Sequence, residues 1–354
     1  MAAGGKTWTA AEITGRLGFS SIALDMQRRL TAEGIAAARR AGLERMEISY
    51  GSAHFDWRDP AHVREIAGEC GKQGIALVSA HLPYHVKDLG AEDPAQRAPA
   101  VREVLDAVQI ACETGARVGV LHWSGTEGYR AAHEQIAARL DGLPFTVALE
   151  NGARIAPVQE LVRAVGSPQV RMVLDIGHAR DKAGDNPFCT EPGAYAALRE
   201  CADQLVHVHL HDFHLTDHLP PFAGTIAWDA VLGALRDIGY RGPLLFEVHC
   251  GHPQALPERQ RTELHALLAT ASDETLHEAG SVPFLALLRG RRPGLTPGTP
   301  AHALATDLGR ALKEVCRLNL RATTEQALAA VAGFPAEFVR RYGTHASPRT
   351  VRSG

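Results

Sequence analysis

The sequence predicts a (β/α)8 barrel followed by a helical C-terminal extension, and three observations predict it. Eight short runs rich in Val, Ile and Leu alternate with segments of helical periodicity, the pattern of parallel strands joined by crossover helices. The runs are nearly continuous in apolar character, as strands covered on both faces must be. The eight units occupy roughly 250 residues, the length of a closed barrel, which suits them better than a doubly wound open sheet.

In chain order, the strands are expected at Ser21–Met26, Arg45–Tyr50, Ala76–His81, Arg117–Trp123, Phe145–Asn151, Val170–Ile176, Leu205–His211 and Pro243–His249. Arg97–Thr114 illustrates the helical segments between them: Val101, Val104, Leu105, Val108 and Ala111 share one face. Gly42, Gly74, Gly115 and Gly239 fall where such helices close and lead into the next strand. The barrel is expected to span residues 1–271 and the extension 272–354. Within the extension, Pro293–Pro300 reads as a loop. Leu304, Leu308, Leu312 and Val315 form a helical apolar stripe, and Thr323 with Gln326 forms a capping box. Gly333 divides the last segment into two short helices, a spacing seen in helix-turn-helix units, but no basic recognition face accompanies it. The extension is expected to cap the barrel or to form a contact in a homo-oligomer.

Composition narrows the function classes. A net charge of −3 gives no sign of a nucleic-acid or anionic-membrane partner. The N-terminal segment has no secretory pattern, and no apolar stretch is long enough to span a bilayer, so a cytoplasmic location is expected. Six scattered cysteines without a C-x-x-C pair suit a reducing compartment.

The strand ends carry the chemistry. Strand three ends in His81, strand four in His122 and strand five in Glu150-Asn151. Strand six ends in Asp175, with His178 three residues on; strand seven carries His207, His209, His211 and Asp212, and strand eight carries Glu247. The C-terminal rim is the catalytic face of this fold. Any one of these residues is most simply a satisfied strand-end polar group. Three carboxylates and several imidazoles on one rim, however, repel or desolvate one another without a cation. A divalent ion is therefore expected, and the mixed donors suit Mn²⁺, Co²⁺, Fe²⁺ or Zn²⁺ better than Ca²⁺. His207, His209 and His211 have the same parity along the strand, so alternation does not choose among them.

The run ALEN, then LDIGHA, then HVHLHD followed by DHLPP, then FEV, resembles the xylose-isomerase-like barrel superfamily over roughly Phe19 to Gly251. That group includes sugar and sugar-phosphate isomerases and epimerases, inosose and dehydroshikimate dehydratases, and endonuclease IV-type enzymes. The resemblance implies a one-metal site of Glu150, Asp175, His209 and Glu247, His209 being the first histidine of H-L-x-D; Mg²⁺ joins the candidate ions. It further implies that Glu150 and Glu247 exchange protons with the substrate and that His178 binds a substrate oxygen. The endonuclease IV-like branch adds ligands matched here by His81, His122, His178 and His218, for two or three ions. This sequence departs from that branch at Thr216, where the late-loop Asp is expected, and at Ala223, where a Glu is expected. The implied activity is metal-dependent isomerisation or epimerisation of a small sugar, sugar phosphate or hydroxyketone through an enediolate. The alternatives are a dehydratase on the same site and a multinuclear phosphodiesterase. The rim segments lack the Arg and Lys cluster that tracks a nucleic-acid backbone. Arg154 is a candidate for reading an anionic group, though an arginine at a helix start is usually solvated.

Overall fold

Eight parallel strands close on themselves in the order β1-β10-β7-β6-β5-β4-β3-β2. They are β1 (Leu17–Ser20), β2 (Arg45–Ser49), β3 (Ala76–His81), β4 (Val118–Leu121), β5 (Thr146–Glu150), β6 (Val170–Asp175), β7 (Leu205–Leu210) and β10 (Leu244–Phe246). The computed structural model describes residues 8–343 apart from 52, 85, 124–126, 215, 251–261, 263–265, 283, 289 and 321. A short antiparallel hairpin, β8 (Asp212–His214) and β9 (Thr216–Leu219), stands on the rim after β7. The predicted barrel is thus the observed one, and no helix among the described residues is long and apolar enough to cross a membrane.

Helices α1 (Ala10–Thr14), α2 (Ala32–Arg40), α3 (Pro60–Gln73), α4 (Pro94–Glu113), α5 (Glu127–Leu140), α6 (Ala156–Val165), α7 (Glu191–Cys201) and α8 (Trp228–Asp237) accompany the strands. The starts of α1, α2, α3, α4 and α7 follow capping chemistry. Asp59 before Pro60 and Asp93 before Pro94 each accept an amide of the first turn, with proline where its missing N–H costs nothing. The four expected closing glycines all have positive φ, from 69° at Gly74 to 102° at Gly115. On α4, Val101, Val104, Val108 and Ala111 are buried as the periodicity requires.

The first strand is displaced from its expected position. Leu17–Ser20 forms β1, whereas Ser21–Leu24 makes a 3-10 turn that ends at Asp25 with φ 67°. Both tetrapeptides are fully buried, and hydrophobicity alone does not separate a buried strand from a buried turn. The remaining strands lie within the expected runs, and β3 has the expected ends.

Two register irregularities lie beneath the rim, between Met46 and Glu47 and between Met172 and Val173. The first puts Glu47 opposite Ser79; the second puts Asp175 opposite His209. Such bulges re-aim side chains near a site. Val120, Ala148 and Val173 form a small dry cluster. Each lies two residues before His122, Glu150 or Asp175 on the same strand face, so it floors the rim.

Residues beyond 271 do not pack as one body. Helices α9 (Asp273–Gly280), α10 (Phe284–Leu288) and α11 (Pro300–Leu320) contribute to a separate cluster that includes Ala279, Leu287, Leu304 and Ala305, with Leu308 and Leu312 against it. The Val315 side chain, the last of the predicted stripe, lies outside the described residues. Helix α12 (Thr324–Tyr342) instead joins the barrel's own apolar cluster through Leu328, Val331, Phe334 and Phe338. Phe334 stacks among Phe246, Phe222 and Trp228 with ring centroids 4.7, 5.1 and 5.2 Å away. The Thr323–Gln326 capping box is present. Gly333 lies inside one continuous helix, so the two-helix division expected there does not occur: the helix runs on through Pro335 as well, with Val331, Phe334 and Pro335 held in the core.

Candidate metal centre

Strands β5, β6 and β7 and the residue after β10 bring Glu150, Asp175, His209 and Glu247 together. Each offers a ligand atom within 4.8 Å of the others, and all four are buried. His209 stands at the centre. Its Nε2 donates to Glu47 Oε2 at 3.3 Å. That leaves Nδ1 facing Glu150 Oε1 at 3.1 Å and Glu247 Oε2 at 2.9 Å. Two carboxylates and an imidazole lone pair converging in a buried space require a cation, proton or metal, at that point. Glu247 Oε2 is buried and has no hydrogen-bond partner among the described residues, although His209 Nδ1 lies 2.9 Å away. The donor set therefore fits a divalent ion. Burial alone raises the Glu150 and Glu247 carboxyls, but the charge on His209 outweighs it and holds both well below the ordinary carboxylate range. The same carboxylates hold His209 well above the ordinary imidazole range against the opposing effect of burial.

The other predicted ligands gather in two flanking groups. His81 Nε2 donates to Glu150 Oε2 at 3.3 Å, and His122 Nε2 lies 2.8 Å from the same oxygen, so these three form a second possible ligand set sharing Glu150. His178 and His218 group with Asp175 and His211. His178 Nδ1 is 3.4 Å from Asp175 Oδ2 and 3.7 Å from Glu150 Oε1. His218 bonds Asp217 at 3.2 Å and lies 3.6 Å from Glu247, so Asp217 partners the histidine where Thr216 takes the expected aspartate position.

Sequence reasoning missed Glu47 behind this set, and it named His211 and Asn151 without their supporting parts. Glu47 is fully buried and accepts from Ser79 Oγ at 2.7 Å and His207 Nε2 at 3.2 Å as well as from His209. Burial pushes its carboxyl up, but the two imidazoles pull it down to about 2. A carboxylate behind a ligating histidine fixes the ring and its tautomer. The available signal was one acid in the middle of a short strand, RMEIS, between Met46 and Ile48. His211 plays the matching part for Asp175. The His218 amide donates to His211 Nδ1 at 2.7 Å, so Nε2 carries the proton and donates to Asp175 at 2.9 Å. Gly177 makes room for this ring: a Cβ there would stand 1.8 Å from His211 Cε1. Asn151 clamps the Asp175 main chain, accepting from its amide and donating to its carbonyl, both at 2.9 Å.

One rim residue, Asp212, has a structural duty instead. Asp212 spends both oxygens on the amides of Phe213 and Ile226 and on the Trp228 indole, tying the hairpin to α8. Arg154 is exposed. Above Glu150 opens a cavity of about 590 Å³ walled by Tyr84, Lys87, His122, Trp123, Tyr129 and His178.

Comparison with known proteins agrees with this architecture. A 31% identical stretch of 88 residues, 25% of this chain and 26% of the relative, matches a D-psicose 3-epimerase of Enterocloster bolteae. The chain spans less than two thirds of the curated relatives it matches, from 19% to 64% of their length. Among solved structures, a D-allulose 3-epimerase from Methylomonas sp. superposes with a TM-score of 0.54 at 19% identity, over 85% of this chain and 97% of that one. An AP endonuclease of family 2 from Brucella melitensis gives 0.52 at 18% identity, over 66% and 92%. At these identities the superpositions speak for the fold. The family model for xylose isomerase-like TIM barrels matches residues 35–270, two thirds of the chain and every barrel strand after the first, and so the chain belongs to the xylose isomerase-like TIM barrel family.

Proposed function

We propose that the protein is a divalent-metal-dependent isomerase or epimerase of a sugar, sugar phosphate or related hydroxyketone. The observation that carries this reading is the pair of buried carboxylates, Glu150 and Glu247, on either side of His209 Nδ1 beneath a sugar-sized cavity. A divalent ion held by Glu150, Asp175, His209 and Glu247 would polarise a substrate carbonyl and the adjacent hydroxyl, favouring loss of the α-proton to an enediolate. Glu150 and Glu247, both kept ionised, are suited to take that proton from one face of the carbon and return it on the other. His178, part-exposed at the cavity wall, is placed to bind a substrate oxygen. Tyr84 and Trp123 wall the cavity and limit water around the reacting carbon. The epimerase names among the relatives support the sugar class. The same proton removal followed by loss of a β-hydroxyl would make a dehydratase, distinguished by a product lighter by one water.

A second reading rests on one observation. His81, His122 and Glu150 make a ligand set of their own, as a multinuclear phosphodiesterase would need. Metal content per chain, measured by plasma mass spectrometry on wild type and His209→Ala purified without added metal, tests both. About one ion, lost in the variant, together with turnover of ketoses, supports isomerisation. Two or three ions with phosphodiester cleavage and no ketose turnover replaces it. A chain that takes up no metal on reconstitution removes the proposal.

A further inference from the structure

A larger cavity, about 700 Å³, lies outside the metal centre, between the rim loops after β6 and β7 and the α10–α11 segment. Four cationic side chains line it: Arg180, Arg292, Arg310 and Lys313. The acids nearby are already engaged: Asp217 and Asp175, which act on Arg180 electrostatically, pair with His218 and His211. Asp185 pairs with Arg291 at 2.9 Å, and Asp307 pairs with Arg310 at 3.2 Å. Among the described residues, Arg180, Arg292 and Lys313 make no ion pair with a carboxylate.

The two internal arginines are positioned but not saturated. Arg180 lies 4.2 Å over the Phe213 ring and spends Nη1 on the Gly177 and Ala179 carbonyls, both at 2.7 Å. Among the described residues, Nε and Nη2 of its guanidinium find no hydrogen-bond partner. Arg292 reaches the Arg291 carbonyl at 2.8 Å and the Leu287 carbonyl at 3.3 Å through Nη1, and the Thr306 carbonyl at 3.4 Å through Nη2; its Nε is buried without a partner. Gly309 permits this approach, since a Cβ there would stand 2.9 Å from Arg292 Nη2 and 2.6 Å from the Leu287 carbonyl. Arg97 straps the Ala91 and Glu92 carbonyls in a similar way, so what sets this place apart is the gathering of four cations around one cavity. Cations fixed around one cavity with spare N–H groups repel one another unless an anion joins them. The planar guanidinium fork matches the oxygens of a phosphate.

We infer that this cavity is a docking site for the phosphate group of a small molecule, formed jointly by the barrel rim and the α10–α11 segment. The volume exceeds what phosphate alone fills, so the group arrives on a larger body. That body is either a substrate whose other end reaches the metal centre, Arg180 being two residues beyond His178, or a separate phosphorylated ligand. The site stands on residues outside the metal-holding set, so its test is independent of the proposed reaction.

The test is calorimetric titration of the chelator-treated full chain with inorganic pyrophosphate, with melting temperature as the control for folding. Wild type should show saturable binding at about one site. The double variant Arg292→Gln/Lys313→Gln should bind at least tenfold more weakly, while Arg154→Gln, an exposed rim arginine, should match wild type. No saturable binding to wild type, or equal binding by a folded double variant, overturns the inference. Displacement of pyrophosphate by a ketose phosphate from metal-loaded wild type but not from His209→Ala would assign the phosphate to a spanning substrate. Displacement from both would assign it to a separate ligand.

Discussion

Histidines in two regions of this barrel respond oppositely to the same burial. In the helix layer, His133 on α5 has no exposed surface, a single bond from Nδ1 to the Tyr129 carbonyl, and an Nε2 with no partner; burial brings it down to about 4. At the rim, His218 is also buried, yet Asp217 and Glu247 carry it up to about 10. Burial lowers the pKa in both places, so the carboxylates decide the sign. The helix layer uses imidazole as a neutral packing group. The rim uses it as a cation or as a ligand, and that requires each acid to be held in place from behind.

The largest test of this contrast is Glu247→Gln, which should keep the fold and lower turnover by about 10³-fold, in the range for loss of a general base. Full activity in that variant would return Glu247 to a structural role. Next, Gly177→Ala should drive the His211 ring off Asp175 and weaken metal binding by about 100-fold, measured by competition with a chelating dye. Unchanged affinity would show that Asp175 needs no support. Third comes the helix layer. The folded pKa of His133 lies below its unfolded value, so above pH 6.5 the residue contributes no pH dependence. As pH falls from 6.5 towards 4 the unfolded chain takes up a proton that the folded one refuses, and stability drops. The loss between pH 7 and pH 5 is about 2 kcal/mol. His133→Phe should remove it, read as the difference in urea midpoints at the two pH values, and an identical pH slope in wild type and variant would refute it. The smallest effect is expected for Glu47→Gln. His209 then keeps an acceptor but loses the charge behind it, and metal affinity should fall about tenfold with the melting temperature little changed. A gain in affinity would mean that Glu47 competes for the histidine instead of supporting it.

The sequence made most of the barrel legible because parallel strands and their crossover helices have separate periodicities. It also put Glu150, Asp175, His209 and Glu247 on one rim, since strand ends in this fold share a face. What it hid has physical causes. Leu17–Ser20 and Ser21–Leu24 are both buried, and SIAL is the more apolar of the two, so the first strand slid by one tetrapeptide. Glu47 lies within its strand instead of at its end, and it reaches His209 only through pairing between residues far apart in sequence. The support from His211 depends on a proton position set by the His218 amide, which composition does not encode. The cationic cavity combines Arg180 with Arg292 and Lys313, joined only by the packing of α11 against the rim.

The seating of Phe334 on Phe246 and Trp228 also bears on how the chain is made. Translation delivers Phe246 roughly 90 residues before Phe334, so the nascent barrel has all its strands while this aromatic surface is still bare. Helix α12 also meets α1, formed near the start of synthesis, so that seam closes late, across almost the whole length of the chain. Non-local closure of this kind is slow and leaves apolar surface open to misassociation. A product interrupted anywhere between Glu247 and α12 would carry the complete metal-holding set on a barrel with an uncovered side, a species marked for chaperones or proteases by its missing wall.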